Sequence, residues 1–339
     1  MSQIKSTISL KKVAELANVS VATVSRVLNK DNSVKEETSL RVQKAIKQSG
    51  YHPNRVAQRL RSTHRNRKLI GLLIPDIQNP FYVDVVRGIE EYAYAHDSAV
   101  LIGNFSQDLK KEKLYLEILR SESVDGFIVA PSGGKDEFVE SLVEDGYATV
   151  CIDRGLANID VDVVMVDNHK GAFEATEHLI KVGHKRIAHI TGNPTIPTTK
   201  DRISGYEAAL TKNGLPIDHS LIVGKESNFE SGLEMTKLLL QMPEPPSAIF
   251  TGNNLLTLGA FEMILKMGLK IPEDIAILGF DDMYWANSFN PALTAVRQSG
   301  YDIGRRAVEL LFQRIEEPDR PTARIIMNTQ LMIRKSCGA

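Results

Sequence analysis

Hydrogen-bonding side chains follow directly after the apolar segments that we predict to be strands. Asp153 and Arg154 come after one such segment, and Asp281 comes after another. Side chains with the same chemistry, and two aromatic residues, stand in the connections after four further segments, with Arg202 at the end of a long loop: Asn79, Phe81, Tyr82, Arg202, Asn253 and Gln298. Carboxylate, amide and guanidinium groups bind hydroxyls in bidentate pairs, and aromatic rings cover the apolar faces of a sugar ring. These residues therefore predict a site for an uncharged, polyhydroxylated ligand.

Several of these residues also have a structural interpretation. Asn79 stands before Pro80 and could cap a helix, Asp153 could form a local ion pair with Arg154, and Asp281 could cap the segment after it. Burying so many polar groups without partners would cost on the order of 1–3 kcal/mol each. A ligand or ordered water is therefore expected to satisfy them.

The residue patterns of common enzymes are missing from the sequence. We find no phosphate-binding loop, no glycine fingerprint of dinucleotide binding and no nucleophile elbow. The eight histidines are scattered, and we expect His178, His184 and His189 to be surface or satisfied groups. The sequence therefore predicts no enzyme, no catalytic residue, no metal site and no cofactor.

Short apolar runs alternate with amphipathic stretches from residue 69 onward. We predict strands at residues 69–74, 100–104, 126–130, 148–152, 161–166, 186–191, 247–251, 275–279 and 293–297. Between most of them we predict helices at residues 81–96, 110–122, 169–182, 201–213, 230–241 and 254–267. This alternation is typical of parallel sheets covered by helices on both faces. At about 270 residues the segment is long for one open sheet, so we expect two lobes. Ligands of such sheets bind beyond the carboxyl ends of the strands.

The amino-terminal segment differs in charge from the rest. Residues 1–68 contain fifteen Lys and Arg against four Asp and Glu, a net charge of +11, whereas the remaining residues have a net charge of −12. Concentrated positive charge suits contact with a phosphate backbone, although a solvated basic tail is the alternative. The apolar pattern of the segment argues against a tail.

Three helices are predicted in this basic segment. Val13 to Ala17 have helical spacing, and Asn18 follows as a residue that tolerates the left-handed conformation. Ser20 is then positioned to cap a second helix from Val21 to Asn29, with Val24 turned inward, and a third is predicted at residues 36–49. Two short helices joined by a tight turn and followed by a third indicate a helix-turn-helix domain, although any small three-helix bundle would fit.

Residues 13–29 and 50–60 together resemble the head of the lactose/galactose-repressor (LacI/GalR) family. In that family the second helix lies in the major groove, which implies that Val21, Ala22 and Arg26 face base edges. The resemblance implies that the polar neighbours hold phosphates: Ser20, Thr23, Ser25 and Asn29. The guanidinium fork of Arg26 matches the O6 and N7 acceptors of guanine, so we expect it to read sequence.

A short amphipathic segment, residues 53–61, follows. In the resembled family it is a hinge helix that folds on the operator and enters the minor groove with its twin, and Leu60 occupies the place of the leucine wedge. Asn54 and Ala57 belong to the same DNA-binding set. A structural alternative is that Leu60 packs on the body as a linker residue.

The body resembles the effector domain of the same family, which is similar to periplasmic ribose-type sugar-binding proteins. The resemblance assigns effector binding to the polar and aromatic residues above, and adds Phe229, which could also be ordinary core. Many members have Asp directly after the position of Asn253, but here Asn254 stands there. This departure puts the identity of the sugar in doubt.

The expected organisation is α/β: a three-helix helix-turn-helix domain with a hinge helix, then a two-lobed, periplasmic-binding-protein-like domain with parallel doubly wound sheets. We expect the DNA-binding domain at residues 1–61, a linker at 62–68 and the effector-binding and dimerisation domain at 69–339. Within the last, the N-lobe is expected at about 69–163 and 294–322, and the C-lobe at about 164–291 and 325–339.

These features predict a transcriptional regulator, most simply a repressor, that binds a palindromic double-stranded operator as a homodimer and responds to a sugar-like effector. Its two cysteines, and the lack of a signal peptide or bilayer-length apolar run, predict a cytoplasmic protein without membrane contact. No heptad segment follows residue 333, so a dimer is expected rather than a tetramer. The alternatives are a catabolite-type global regulator whose body binds a phosphorylated carrier protein, a sugar-binding protein, and an α/β enzyme.

Overall fold

The computed structural model describes residues 10–28, 34–49, 67–133 and 136–339, apart from the side chain of Leu28. The chain divides into two compact units, residues 1–65 and residues 66–339. We call them the head and the body.

The head contains the three expected helices, α1 Leu10–Ala17, α2 Val21–Leu28 and α3 Glu36–Ser49. Asn18 has a φ of 52° in the turn between α1 and α2, which confirms the left-handed residue expected there. Buried apolar side chains from all three helices form its core: Val13, Ala14, Ala17, Val24, Val42 and Ala45. The helix-turn-helix prediction is confirmed.

The body contains two parallel sheets, each covered by helices. The strands are β1 Leu69–Ile74, β2 Ala99–Asn104, β3 Gly126–Val129, β4 Thr149–Ile152, β5 Asp162–Val166, β6 Ile187–Thr191, β7 Ile222–Gly224, β8 Ala248–Thr251, β9 Ala276–Phe280, β10 Thr294–Arg297, β11 Arg324–Met327 and β12 Gln330–Met332. The helices are α4 Pro80–Ala95, α5 Leu109–Ser121, α6 Glu137–Glu144, α7 Asn168–Lys181, α8 Pro197–Lys212, α9 Phe229–Leu240, α10 Asn254–Lys266 and α11 Gly300–Glu316. In the described part of the chain no helix combines the length and the apolar character needed to cross a bilayer.

Each sheet has six strands and belongs to one lobe. The first has the order β11-β5-β4-β3-β1-β2 and the second the order β12-β10-β9-β8-β6-β7. Every pairing is parallel except that of β12 with β10. Six of these twelve strands are buried along their whole length, which explains why they read as continuous apolar runs: β3, β4, β5, β6, β8 and β9.

The chain passes between the two lobes three times: after β5, between β10 and α11, and between β11 and β12. The first and third crossings lie side by side, because the backbone N–H of Asp167 donates a hydrogen bond of 3.2 Å to the carbonyl oxygen of Met327. The lobe boundaries expected from the sequence need three corrections. β5 stays in the first sheet to Val166, β10 pairs in the second sheet although it was assigned to the N-lobe, and β11 pairs in the first although it was assigned to the C-lobe. A strand keeps its hydrogen-bond ladder in one sheet, so the chain crosses between strands and not within them.

Candidate DNA surface and candidate ligand cleft

The outer face of α2 is the candidate DNA surface. Val21, Ala22 and Arg26 are exposed, while Val24 on the opposite side is fully buried in the head core. Burial of one side of α2 therefore leaves these three side chains at the surface, on the helix that the helix-turn-helix arrangement would place in a major groove.

The start of α2 is capped as expected. The Ser20 hydroxyl accepts a hydrogen bond of 3.1 Å from the backbone N–H of Thr23 and lies 2.9 Å from the Thr23 hydroxyl. Ser20 is exposed, and Thr23 and Ser25 are half-buried. Asn29, Asn54, Ala57 and Leu60 lie outside the described residues, so their assignments stay predictions.

The candidate ligand cleft lies between the two lobes, at the carboxyl ends of the strands, and its open space including the mouth is about 650 Å³. Nine of the ten residues assigned to effector binding line this cleft: Asn79, Phe81, Tyr82, Asp153, Arg154, Arg202, Asn253, Asp281 and Gln298. The tenth, Phe229, is not in the lining. It is the half-buried first residue of α9, whereas Ser227 from the loop before it reaches the cleft.

The first lobe contributes the start of α4 and the end of β4. The side chain of Asn79 caps α4 by accepting a hydrogen bond of 2.9 Å from the Phe81 N–H, so the capping interpretation holds together with the cleft position. The Tyr82 hydroxyl donates a hydrogen bond of 3.1 Å to the Asp153 carboxylate. Burial and the neighbouring Asp153 charge raise the pKa of Tyr82 well above its ordinary value, so the hydroxyl remains a donor.

Arg154 is held by protein acceptors of the first lobe. Its Nε donates to the Pro131 carbonyl oxygen at 2.6 Å, and its Nη2 lies 3.5 Å from the Asp153 carboxylate. Both side chains are buried, so the local ion pair expected as an alternative is present and forms part of the cleft wall.

Arg202 of α8 has the same role in the second lobe. Its Nε donates to the Asn168 side-chain oxygen at 2.8 Å, its Nη1 donates to the Gly252 carbonyl oxygen, and its guanidinium lies 3.7 Å from the centre of the Phe280 ring. Cation–π contact and two hydrogen bonds to protein groups fix the orientation of the guanidinium.

Asp281 follows β9 as Asp153 follows β4, and both have left-handed backbones, with φ values of 72° and 68°. Asp281 accepts a hydrogen bond from the Gln298 side-chain nitrogen. Burial raises the pKa of Asp281, and the positive charge of Arg202 opposes that shift. Non-glycine residues in this backbone region cost about 1–3 kcal/mol and cluster at binding sites.

Two consecutive asparagines connect the cleft to α10. Asn253 caps α10 by accepting a hydrogen bond of 2.8 Å from the Leu256 N–H and donates one of 3.1 Å to the Ser227 carbonyl oxygen. The side-chain nitrogen of Asn254 donates a hydrogen bond of 2.9 Å to the Asn79 side-chain oxygen, across the boundary between the lobes. The position where this chain departs from the family pattern therefore joins the two lobes.

Sequence reasoning missed several cleft residues, of which His189 is the most informative. His189 is completely buried on β6 and lines the cleft together with Thr191, two positions further on the same face of the strand. Its Nε2 has no hydrogen-bond partner among the described residues. The expectation that His189 is a surface or fully satisfied group is therefore wrong, and strand alternation from Thr191, which precedes the Arg202 loop, is the signal that could have found it.

Metal binding finds no support in the described residues, which contain no group of three or more His, Cys, Asp or Glu positioned to hold an ion. The arrangement instead combines fixed hydrogen-bonding groups with an aromatic ring, Phe81, at a junction between two lobes.

Comparisons with known proteins cover both units. Residues 9–54 match the family model described as bacterial regulatory proteins, lacI family, and residues 67–335 match the model of periplasmic binding proteins and sugar binding domain of LacI family. The HTH-type transcriptional repressor CytR of Escherichia coli (strain K12) is 34% identical over 334 residues, 98% of this chain and 96% of that protein. Catabolite control protein A of Priestia megaterium is 36% identical over 305 residues, 90% of this chain and 91% of that protein. The solved complex of the transcriptional regulator CelR with cellobiose has a TM-score of 0.73 at 29% identity and covers 97% of this chain and 99% of its own.

Proposed function

The chain belongs to the LacI family of bacterial regulatory proteins, and from this premise we propose that it represses transcription by binding a palindromic operator as a homodimer under the control of a small uncharged effector. The proposal rests above all on one observation. Nine polar and aromatic side chains chosen from the sequence for ligand binding converge on one cleft between the two lobes.

The chemistry of the cleft favours a sugar-like effector. Buried carboxylates at Asp153 and Asp281 and the amide of Gln298 offer acceptors for hydroxyl groups, and Phe81 offers a ring. The charge of Arg154 is balanced by the Asp153 carboxylate 3.5 Å away, and two nitrogens of Arg202 already donate hydrogen bonds to protein oxygens. The related regulator CelR in complex with cellobiose supports the same class of effector.

Effector binding is proposed to control the angle between the lobes. A ligand that contacts Asp153 in the first lobe and Asp281 in the second stabilises one closure angle over others, in proportion to its difference in affinity for them. The expected hinge helix at residues 53–61, with Asn54, Ala57 and Leu60, would pass this change to the DNA.

Homodimer formation is supported by an exposed apolar surface in the first lobe. β2 is the edge strand of the first sheet, and Ile102 on it is exposed. The neighbouring helix α5 exposes Leu109, Leu114 and Ile118. Apolar side chains grouped on an edge strand and the helix packed on it favour contact with a second chain. Twofold symmetry of the dimer would then match a palindromic operator.

We further propose that the protein is not an enzyme and acts in the cytoplasm, where its operator is. The charged groups at four positions in the cleft are hydrogen-bonded to other protein groups: Asp153, Arg154, Arg202 and Asp281. The similar protein CytR of Escherichia coli is a transcriptional repressor.

A catabolite-type regulator remains the second candidate because of the 36% identity to catabolite control protein A. In that case the body would respond to a phosphorylated carrier protein, and the cleft would need no ligand. The buried polar lining of the cleft favours the small effector.

The proposal is tested with the full-length protein and fragments of the source genome. We expect wild-type protein to retain a small set of palindromic fragments at low salt, and an Arg26→Ala variant to lose the preference among them. Aldoses, sugar phosphates and purines are then added singly, with sugar turnover followed in parallel. Retention of no fragment under any condition, or conversion of an added compound to product, overturns the proposal.

A further inference from the structure

Burial alone does not explain why residue 189 in the cleft is a histidine. It is completely buried in β6, the strand beside the edge strand β7, and its ring is stacked on Phe250 with 4.5 Å between the ring centres. Tyr206 lies on it at a tilt, with 5.3 Å between the centres. An apolar aromatic residue would pack in the same place, so the nitrogen atoms need a separate explanation.

The protonation of the imidazole follows from its neighbours. Nδ1 lies 3.0 Å from the Phe250 carbonyl oxygen, and since a carbonyl oxygen can only accept, Nδ1 carries the proton. Burial lowers the pKa of His189 to about 4, so the ring is neutral at physiological pH. The tautomer is therefore fixed, and Nε2 is a hydrogen-bond acceptor only.

Nε2 has no hydrogen-bond partner among the described residues, although His189 lines the cleft. The side-chain oxygen Oε1 of Gln298, in the lining of the same cleft, is also buried and lacks a partner in the described part of the chain. The cleft thus has two buried acceptors without donors. Unpaired acceptors in a binding site favour ligands that bring the missing donors and reject analogues that lack them.

We propose that His189 is a specificity-determining residue of the cleft, whose Nε2 accepts a hydrogen bond from an O–H or N–H group of an uncharged effector. The inference deepens the proposed function and depends on it. Phosphate esters ionised at neutral pH and carboxylates are excluded as groups at this position, because they would place an acceptor against an acceptor. The effector must therefore direct a hydroxyl, amide or ring N–H toward β6.

The test compares wild-type protein with His189→Phe, which keeps the aromatic stacking but cannot accept a hydrogen bond. The control is His219→Phe, which removes an exposed imidazole outside the cleft. The probes are D-ribose, D-glucose, cellobiose and adenine, with ribose 5-phosphate as an anionic counterpart, and binding is measured by thermal shift and titration calorimetry. Each compound that binds is then replaced by its single deoxy or methylated analogues.

We expect an uncharged probe to stabilise wild-type and His219→Phe protein alike, and to bind His189→Phe about tenfold more weakly. One analogue, missing the donor that meets Nε2, should bind wild-type and His189→Phe protein with equal affinity, which a merely structural role would not produce. The melting temperature of ligand-free His189→Phe should stay within about 3 °C of wild type.

Equal probe affinity of wild-type and His189→Phe protein overturns the inference. It is also overturned if no analogue binds wild-type and His189→Phe protein with the same affinity, or if no uncharged probe binds wild type. A melting temperature of ligand-free His189→Phe far below that of wild type overturns it as well. Operator retention by the wild-type protein is measured separately. If retention is present while the ligand result fails, only the role of His189 is lost, and if retention is absent, the proposed function fails.

Discussion

The side-chain nitrogen of Asn254 lies 2.9 Å from the side-chain oxygen of Asn79, and this hydrogen bond joins the two lobes. The same oxygen of Asn79 caps α4 through the Phe81 N–H, also at 2.9 Å. One buried atom therefore accepts hydrogen bonds from both sides of the cleft, which ties the start of α4 to the start of α10.

Asn254→Asp should weaken this connection. A carboxylate at residue 254 would face the Asn79 oxygen as acceptor against acceptor, and we expect a loss of about 1–3 kcal/mol in the free energy of unfolding. Asn79→Asp is the matched control, because a carboxylate there still accepts both hydrogen bonds and still caps α4. Urea unfolding measures both variants. Equal stability of the two would show that the contact does not depend on which residue donates.

Substitutions of Asp281 should separate backbone strain from charge. The backbone of Asp281 has a φ of 72°, in the left-handed region. Glycine adopts this conformation without strain, asparagine tolerates it, and alanine does so only at a cost in free energy. We expect Asp281→Ala to be less stable than Asp281→Gly by about 1–2 kcal/mol, the reverse of the order in an ordinary strand. Thermal unfolding gives the order, and all three variants should lose effector affinity. If Asp281→Ala is the more stable of the two, the backbone is not strained.

Arg26→Ala should relax operator preference. A bidentate contact to one base pair is worth about 1–3 kcal/mol, so the variant should bind the best operator more weakly and discriminate less at one position in each half-site. Binding to a library of operators with single substitutions measures the change. Uniform weakening on all operators would make Arg26 a phosphate contact instead.

His189 should make the protein less stable in acid. The pKa is about 4 in the folded state and 6.5 as the ordinary value, so the unfolded chain binds the extra proton first as pH falls. Stability that is fully present above pH 6.5 is therefore lost toward pH 4. When the pH is lowered from 7.5 to 4.5, the free energy of unfolding of wild type should fall by about 2–3 kcal/mol more than that of His189→Phe. One pKa unit corresponds to about 1.4 kcal/mol. Urea unfolding at both pH values gives the difference, and parallel stability curves would contradict the shift.

Ile102→Lys should disrupt the proposed dimer. Ile102 is 46% exposed on the edge strand β2, so a lysine there is tolerated by the fold but places a charge in the expected contact. Sedimentation should show a shift to monomer at micromolar protein, and operator affinity should fall at least tenfold. Ile217→Lys, at an exposed residue of the second lobe, is the control. A dimer that persists would move the interface elsewhere.

Local patterns in the sequence predict most elements of the fold. The strand predicted at residues 69–74 matches β1, and the third helix predicted at 36–49 matches α3, because continuous apolar runs and clear boundary residues mark them. β7, β11, β12, α6 and α11 were not predicted. β7 has only three residues, and β11 has four that alternate exposed with half-buried side chains at a sheet edge, so both are too short for a clear strand pattern.

The candidate cleft is predicted less completely, because its residues meet only after the lobes are joined. Asp153 and Asp281 follow strands directly and were found, whereas His189 lies within a strand and reads as part of an apolar run. The contact between Asn79 and Asn254 joins residues 175 positions apart. No local pattern specifies such a pair, since it depends on how two independently formed sheets are placed.

The three crossings of the chain make each lobe discontinuous in the gene. Neither lobe can be produced as one uninterrupted stretch of polypeptide, because strands β10 to β12 alternate between the sheets. A stop codon after Ala323 would remove β11 from the outside of one sheet and β12 from the outside of the other. A short carboxyl-terminal truncation would therefore destabilise both lobes at once. Cleavage of the chain at any single crossing would leave the two lobes covalently connected by the remaining two.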